Sequence, residues 1–275
     1  MFEVAEAYER QMGRWSRQLA PLLIEFAGVG AGERVLDAGC GTGSLTQSIG
    51  RLTKAAEIVG IDASKGFIEY ARAQNSDPRV RFELGDAQNL TYPDSWFDRC
   101  LSLLVVNHIP DTSKALKEIS RVTKPVGVVA TAMWDGTGGN EFNDRMWNVA
   151  VTLDPNVTPA AKRAGTYSSP GALTALWHDA GLIHIEVTSL RLPCQYQSFD
   201  DYWQRFLEGQ GPAGAYVTKL PEERREILRQ KLYQDILGNR SDGPFSLQAK
   251  AWAVKGVVSW FLGVERPATQ SFDLK

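Results

Sequence analysis

The stretch Val35-Leu36-Asp37-Ala38-Gly39-Cys40-Gly41-Thr42-Gly43-Ser44 sets a carboxylate just ahead of three glycines spaced GxGxG. Glycines at such a turn allow positive φ and let a ligand lie against the main chain. The spacing differs from the GxGxxG of dinucleotide folds, which seats a pyrophosphate on a helix N-terminus, because Ser44 stands where the third glycine would be. Asp37 would repel a pyrophosphate, yet a carboxylate there can accept a hydrogen bond from an ammonium group. Asp62 ends Val59-Gly60-Ile61-Asp62, 19 residues beyond Gly43, and an acid so placed can take both hydroxyls of a ribose. The ligand these residues describe has a ribose, a cationic amino-acid tail and no phosphates. S-adenosylmethionine fits that description. The competing reading is a strand-end carboxylate in an NAD-dependent oxidoreductase or a phosphate-free fold.

Other reactive side chains are few. His108, just beyond the fourth apolar strand, is the candidate catalytic base, since an imidazole takes a proton from a phenol or amine near neutral pH. Its alternative role is to fix the Asn107–Asp111 turn. His178 and His184 fall on a peripheral helix and strand. Cys40, Cys100 and Cys194 form no CxxC and no metal-ligand spacing, so no metal site is expected and the thiols read as reduced and cytoplasmic. Chemistry by converging thiols is rejected, because Cys40 lies inside the glycine loop and Cys100 in mid-strand.

Positioning these groups takes alternating strands and helices. Leu19, Leu22, Leu23 and Phe26 form one apolar stripe on a first helix, which Gly28, Gly30 and Gly32 end. Arg34–Cys40, Glu57–Ile61, Val80–Leu84, Phe97–Val105 and Gly127–Met133 read as buried strands. Helices are expected over Ser44–Arg51, over Ser64–Gln74 with Ser64 as N-cap, and over Asp111–Val122. That rhythm predicts a parallel α/β sheet whose strand C-termini share one ligand-binding edge. After Trp134 it changes. Asp135–Gly139 reads as a loop and Met146–Leu153 as a short helix. Ser169-Pro170 opens a helix that Gly181 closes, and Ile183–Leu190 follows as a strand. Ser198-x-x-Asp201 is a capping box before Phe199, Tyr202, Trp203 and Phe206 on one helix face. A helix over Pro221–Leu237 and a long strand over Phe245–Val258 complete the pattern.

The chain resembles the class I S-adenosylmethionine-dependent methyltransferases of the ubiquinone/menaquinone-biosynthesis type. The resemblance runs through Val35–Gly43, Gly60-Ile61-Asp62-Ala63-Ser64, Gly85-Asp86-Ala87, and Phe97-Asp98 to His108-Ile109-Pro110-Asp111, covering Arg34 to about Trp134. It implies a Rossmann-like seven-stranded sheet in the order 3-2-1-4-5-7-6 with the last strand antiparallel. It also implies that Gly39, Gly41 and Gly43 cradle the methionine part, that Asp62 binds the ribose and that Ala63 packs on adenine. Asp86 and Ala87 would read the adenine edge, with Leu103 and Leu104 near the sulfonium. An N-terminal helix folding over the cofactor would bring Tyr8 or Arg14 to its carboxylate.

The acceptor is expected to be chosen outside that core. The expected division is a helical cap at 1–32, a core at 33–190 and 245–265, and a helical lid or substrate insertion at 191–244. Trp134 and Trp203 would then wall the acceptor site, and the aromatic supply favours a small planar or hydrophobic molecule. Thirty Lys and Arg against 32 Asp and Glu, with no basic cluster, give none of the footprint of a nucleic-acid binder. No apolar run approaches membrane-spanning length, and the acidic start Met1-Phe2-Glu3-Val4-Ala5-Glu6 is unlike a signal peptide. The leading function is thus methyl transfer to a small molecule in the cytoplasm, against an S-adenosylmethionine-binding sensor or partner without transfer activity.

Overall fold

The computed structural model describes residues 5, 6, 8–136, 138–158, 166–209 and 211–260. Among them, the strands are β1 Arg34–Ala38, β2 Glu57–Asp62, β3 Val80–Leu84, β4 Phe97–Leu103, β5 Thr123–Trp134, β6 Leu182–Tyr196 and β7 Phe245–Val258. They form one seven-stranded sheet in the order β3-β2-β1-β4-β5-β7-β6. Strands β1 to β5 pair in parallel, and β7 runs antiparallel to both β5 and β6. Order and direction agree with the seven-stranded methyltransferase sheet.

Helices cover both faces. On one lie α1 Arg14–Ala27, α2 Ser44–Leu52 and α3 Lys65–Ala73, whose Leu19, Leu23, Ile49 and Ile68 join a core with Val35 and Ile58. On the other lie α4 Thr112–Val122 and α6 Pro170–Asp179, where Leu116, Ile119, Leu173 and Trp177 pack on Leu36, Val59 and Val129. The expected signals act locally: Ser64 and Ser169 accept from backbone N–H groups three residues on, and Gly28 ends α1 with φ 67°. Side chains of opposite polarity on alternate helix faces leave no other packing for such elements.

Several bounds differ from expectation. β4 stops at Leu103 because Leu104 takes φ 62°, after which Val106–His108 winds into a 3₁₀ turn. α5 spans Glu141–Leu153 and so starts before Met146. β6 runs to Tyr196 rather than Leu190: Ala251 pairs with both Trp134 and Leu190, so Arg191–Tyr196 continue past the end of β5 alongside Phe245–Lys250. The helices α7 Phe199–Leu207, α8 Gly211–Lys219 and α9 Glu222–Leu237 lie between β6 and β7. α8 has no counterpart among the expected elements. Residues 261–265 of the expected core lie outside the described residues.

Candidate functional site

The C-terminal ends of β1 to β4 collect the acidic and glycine-rich turns around one cavity of about 440 Å³. Asp37, Gly39, Gly41, Asp62, Ala63, Asp86, Ala87, Leu103, Leu104 and His108 all line it. Cys40, which the sequence placed inside the glycine loop, lines it as well, as do Ser16, Thr42, Phe67 and Gln88, which sequence reasoning did not single out. Phe67 and Gln88 had a local signal, being close behind Asp62 and Asp86. Ser16 had none, because only the packing of α1 brings it there.

The glycines act differently. The N–H groups of Gly39 and Cys40 both donate to the Ile61 carbonyl at 2.8 Å, tying the loop to β2. A Cβ on Gly39 would stand 2.4 Å from Val105 Cγ1, and one on Gly43 would stand 2.8 Å from the Phe82 ring. Both positions therefore demand glycine for packing as well as for positive φ. At Gly41, φ is 54° and no atom lies within 4 Å of the missing Cβ, so the main chain there faces open space. Gly43 is not among the residues that line the cavity.

The carboxylates differ as sharply. Asp37 is fully buried; its Oδ2 accepts from the Thr46 hydroxyl at 2.6 Å, while its Oδ1 has no hydrogen-bond partner. Burial pushes its pKa up to about 7, against hydrogen bonds from Thr46 that lower it. Asp62 is held by two backbone donors, Gly41 N–H at 2.9 Å and Ser64 N–H at 2.8 Å, one on each oxygen. Each of its oxygens keeps a lone pair for a further donor. Asp86 is exposed at the rim, where the Gln88 N–H and side-chain amide hold its carboxyl below the usual range. Burial of Cys40 lifts its thiol well above its ordinary pKa, as do the nearby Asp37 and Asp62 charges.

His108 is exposed on the cavity wall at the end of the 3₁₀ turn. Asn107 steadies that turn by donating to Ser168 Oγ and accepting from the Tyr167 N–H. Tyr8 leans over the opening against Phe67, with ring centroids 5.5 Å apart. Next to it, Glu9 accepts from the Thr42 hydroxyl of the glycine loop and pairs with Arg17.

Three further expected site residues do not line this cavity. Arg14 is outside the cavity lining; its guanidinium pairs with Asp201 at 3.1 Å and stacks on Trp15 and Tyr196. Trp203 is 3% exposed and packs on Phe199 and Phe206 in the main core, as its helical spacing allows. Trp134 is edge-on to Phe142 and also stands off the cavity. Among the described residues, no group of three or more His, Cys, Asp or Glu is placed to hold a metal ion. No helix there is long and apolar enough to cross a membrane.

Residues 36–131 match the family described as a methyltransferase domain. The chain is 35% identical over 133 residues to methyltransferase GfsG of Streptomyces halstedii, a match covering 47% of this chain and 45% of that protein. It thus spans less than half of that relative's length. Among solved structures, the YcgJ protein of Bacillus subtilis superposes with a TM-score of 0.56 at 22% identity, over 87% of this chain and 97% of that one. A phosphoethanolamine N-methyltransferase of Haemonchus contortus, in complex with phosphomonomethylethanolamine and S-adenosylhomocysteine, superposes at 0.55 and 18% identity, over 94% and 57%. Residues 36–131 are therefore similar to a methyltransferase domain, and the seven-stranded sheet that holds them has the class I methyltransferase fold.

Proposed function

We propose that the chain is an S-adenosylmethionine-dependent methyltransferase whose acceptor is a small, apolar or aromatic molecule. The observation that carries the reading is the orphaned Asp37 Oδ1, buried beside a glycine loop that leaves open space at Gly41. A buried carboxylate oxygen without a donor is costly, and a cationic amino group supplies the missing one. Asp62, already oriented by two N–H groups, fits a ribose diol, and the exposed Asp86 with Ala87 fits an adenine edge. Leu103 and Leu104 give the cavity an apolar wall, which keeps water from the reacting centre.

Held by Asp37, Asp62 and Asp86, bound S-adenosylmethionine would supply an electrophilic methyl group for a nucleophilic atom of the acceptor. The chain's part is then alignment and exclusion of water. Where the acceptor atom carries a proton, the exposed His108 imidazole on the cavity wall is the group to receive it. The N-terminal residues 8–16 act as a cap, and the helices between β6 and β7 act as the cover of the acceptor side.

The test is a calorimetric titration followed by an acceptor screen with methyl-labelled S-adenosylmethionine. S-adenosylhomocysteine should bind and NAD should not; NAD binding in its place would overturn the reading. Label should pass to a small acceptor, and tight cofactor binding with no transfer to any acceptor would identify a sensor instead. Against an acceptor that must lose a proton, His108→Asn should lower kcat by about a hundredfold with KM held, the usual scale for a lost general base. An unchanged kcat would leave His108 only its role in the turn.

A further inference from the structure

The chain enters α1 through a single turn of π-helix, Glu9–Gly13, and such turns gather at functional sites. Gly13 closes that turn with φ −55° and ψ −38°, ordinary helical values that any residue adopts. Its backbone therefore does not call for glycine, which costs about 1 kcal/mol against alanine inside a helix. Its missing side chain does. A Cβ there would stand 2.5 Å from Glu9 Cδ and 2.7 Å from Glu9 Oε1, nearer than Cβ contacts come. Glu9 lays its carboxylate across Gly13, and can do so only while that position is bare.

The carboxylate so placed serves two partners. Glu9 Oε1 accepts from the hydroxyl of Thr42, which stands between Gly41 and Gly43 in the glycine loop. Glu9 Oε2 accepts from the Arg17 guanidinium in the first turn of α1. Thr42 is 4% exposed and lines the cofactor cavity, whereas Glu9 is outside that lining. Tyr8, just before Glu9, lines the cavity and packs on Phe67. A hydrogen bond to a carboxylate is of the strong kind, and this one joins parts of the chain 33 residues apart.

We propose that Glu9 is a positioning residue for the cofactor: held by Arg17 and given room by Gly13, it fastens the N-terminal cap to Thr42 and keeps the cavity closed over a bound cofactor. The proposal rests on the methyltransferase reading and adds to it the contact that closes the cap. Glu9 acts through Thr42 rather than on the ligand, so its effect falls on how long the cofactor stays bound. Glu9 and Gly13 work as one unit. Removing the carboxylate, or pushing it aside with a methyl group at position 13, frees Thr42; doing both frees it no further.

Release of methyl-labelled S-adenosylmethionine from the full chain, chased with excess S-adenosylhomocysteine, reads this contact. Glu9→Ala and Gly13→Ala should each speed release about tenfold, the scale of one hydrogen bond to a charged group. The double variant should release no faster than Glu9→Ala alone, because the new methyl group then has no carboxylate to displace. A cap merely loosened at two independent points would multiply the effects, to about a hundredfold. Parent-like release from either folded single variant, or multiplied effects in the double variant, would overturn the proposal. Thermal melts report that each variant is folded; if Gly13→Ala is not, Thr42→Val takes its place in the same cycle and is judged by the same outcomes. Failure of the parent to bind either ligand would instead defeat the methyltransferase reading.

Discussion

At Asp37 burial and hydrogen bonding pull in opposite directions. Burial lifts the pKa from the ordinary 3.8 to about 7, so between those values the folded chain holds proton that the unfolded chain has lost. Stability from this group is therefore fully present below about pH 4 and is lost as pH rises toward 7. A cationic amino group beside the carboxylate reverses the preference. Cofactor binding should then release a proton near pH 6 to 7, and affinity should fall by up to about tenfold per unit of pH below 7. Calorimetry of S-adenosylhomocysteine binding at several pH values, in buffers of different ionisation enthalpy, measures both effects. Asp37→Asn should flatten the profile and stabilise the free protein above pH 7; an unaltered profile would remove Asp37 from the ammonium contact. Asp62 makes a different case. It anchors Gly41 and Ser64 through their N–H groups, so Asp62→Ala should cost about 1–3 kcal/mol of cofactor affinity and loosen the loop as well. Unchanged affinity in the same titration would move the ribose elsewhere.

The turn between β1 and α2 separates two reasons for a glycine. Gly39→Ala drives a methyl group into Val105 and keeps a positive φ, so it should destabilise the fold by about 1–3 kcal/mol in thermal melts. Gly41→Ala meets no atom and should cost only about 1–2 kcal/mol through its φ, while the new methyl group obstructs the ligand. Equal melting temperatures with intact binding in both variants would refute the distinction. The sequence showed three glycines in one pattern and no means of ranking them, since Val105, just after β4, and Phe82, on β3, approach from distant parts of the chain. Elements carried by local chemistry were legible: Ser64 and Ser169 as caps, Gly28 as a stop, and β7 at its full length Phe245–Val258. The acidic strand ends likewise disclosed most of the cavity, because each follows its own strand directly. Trp134, Trp203 and Arg14 were harder. Their direction depends on how α1, α5 and α7 pack, and the helical spacing of Trp203, which usually means packing onto the core, does not by itself exclude a place in an acceptor wall.

For the molecule as a whole, α1 joins the cavity to α7 and the far end of β6. Its Ser16 reaches the cofactor cavity, while Arg14 is tied to Asp201 on α7 and Trp15 to Tyr196 on β6. No residue of α9 lines the cavity, and that helix packs instead on α5 through Leu228 and Leu232 in the core. Local opening energies differ between such regions, and a ligand slows exchange only where its contacts or their neighbours must open. Hydrogen exchange with and without S-adenosylhomocysteine should therefore show slowing at Asp37–Thr46, Asp62–Phe67, Gly85–Gln88 and Leu103–Pro110. It should extend into residues 8–16 through Tyr8, Glu9 and Ser16, since Glu9 is bonded to the glycine loop at Thr42. α9 should exchange at the same rate in both states. Slowing in α9 as strong as in the glycine loop would mean that cofactor binding and the acceptor cover are coupled as one body. Slowing confined to the loop, with residues 8–16 unaffected, would mean that the N-terminal cap closes only when the acceptor arrives.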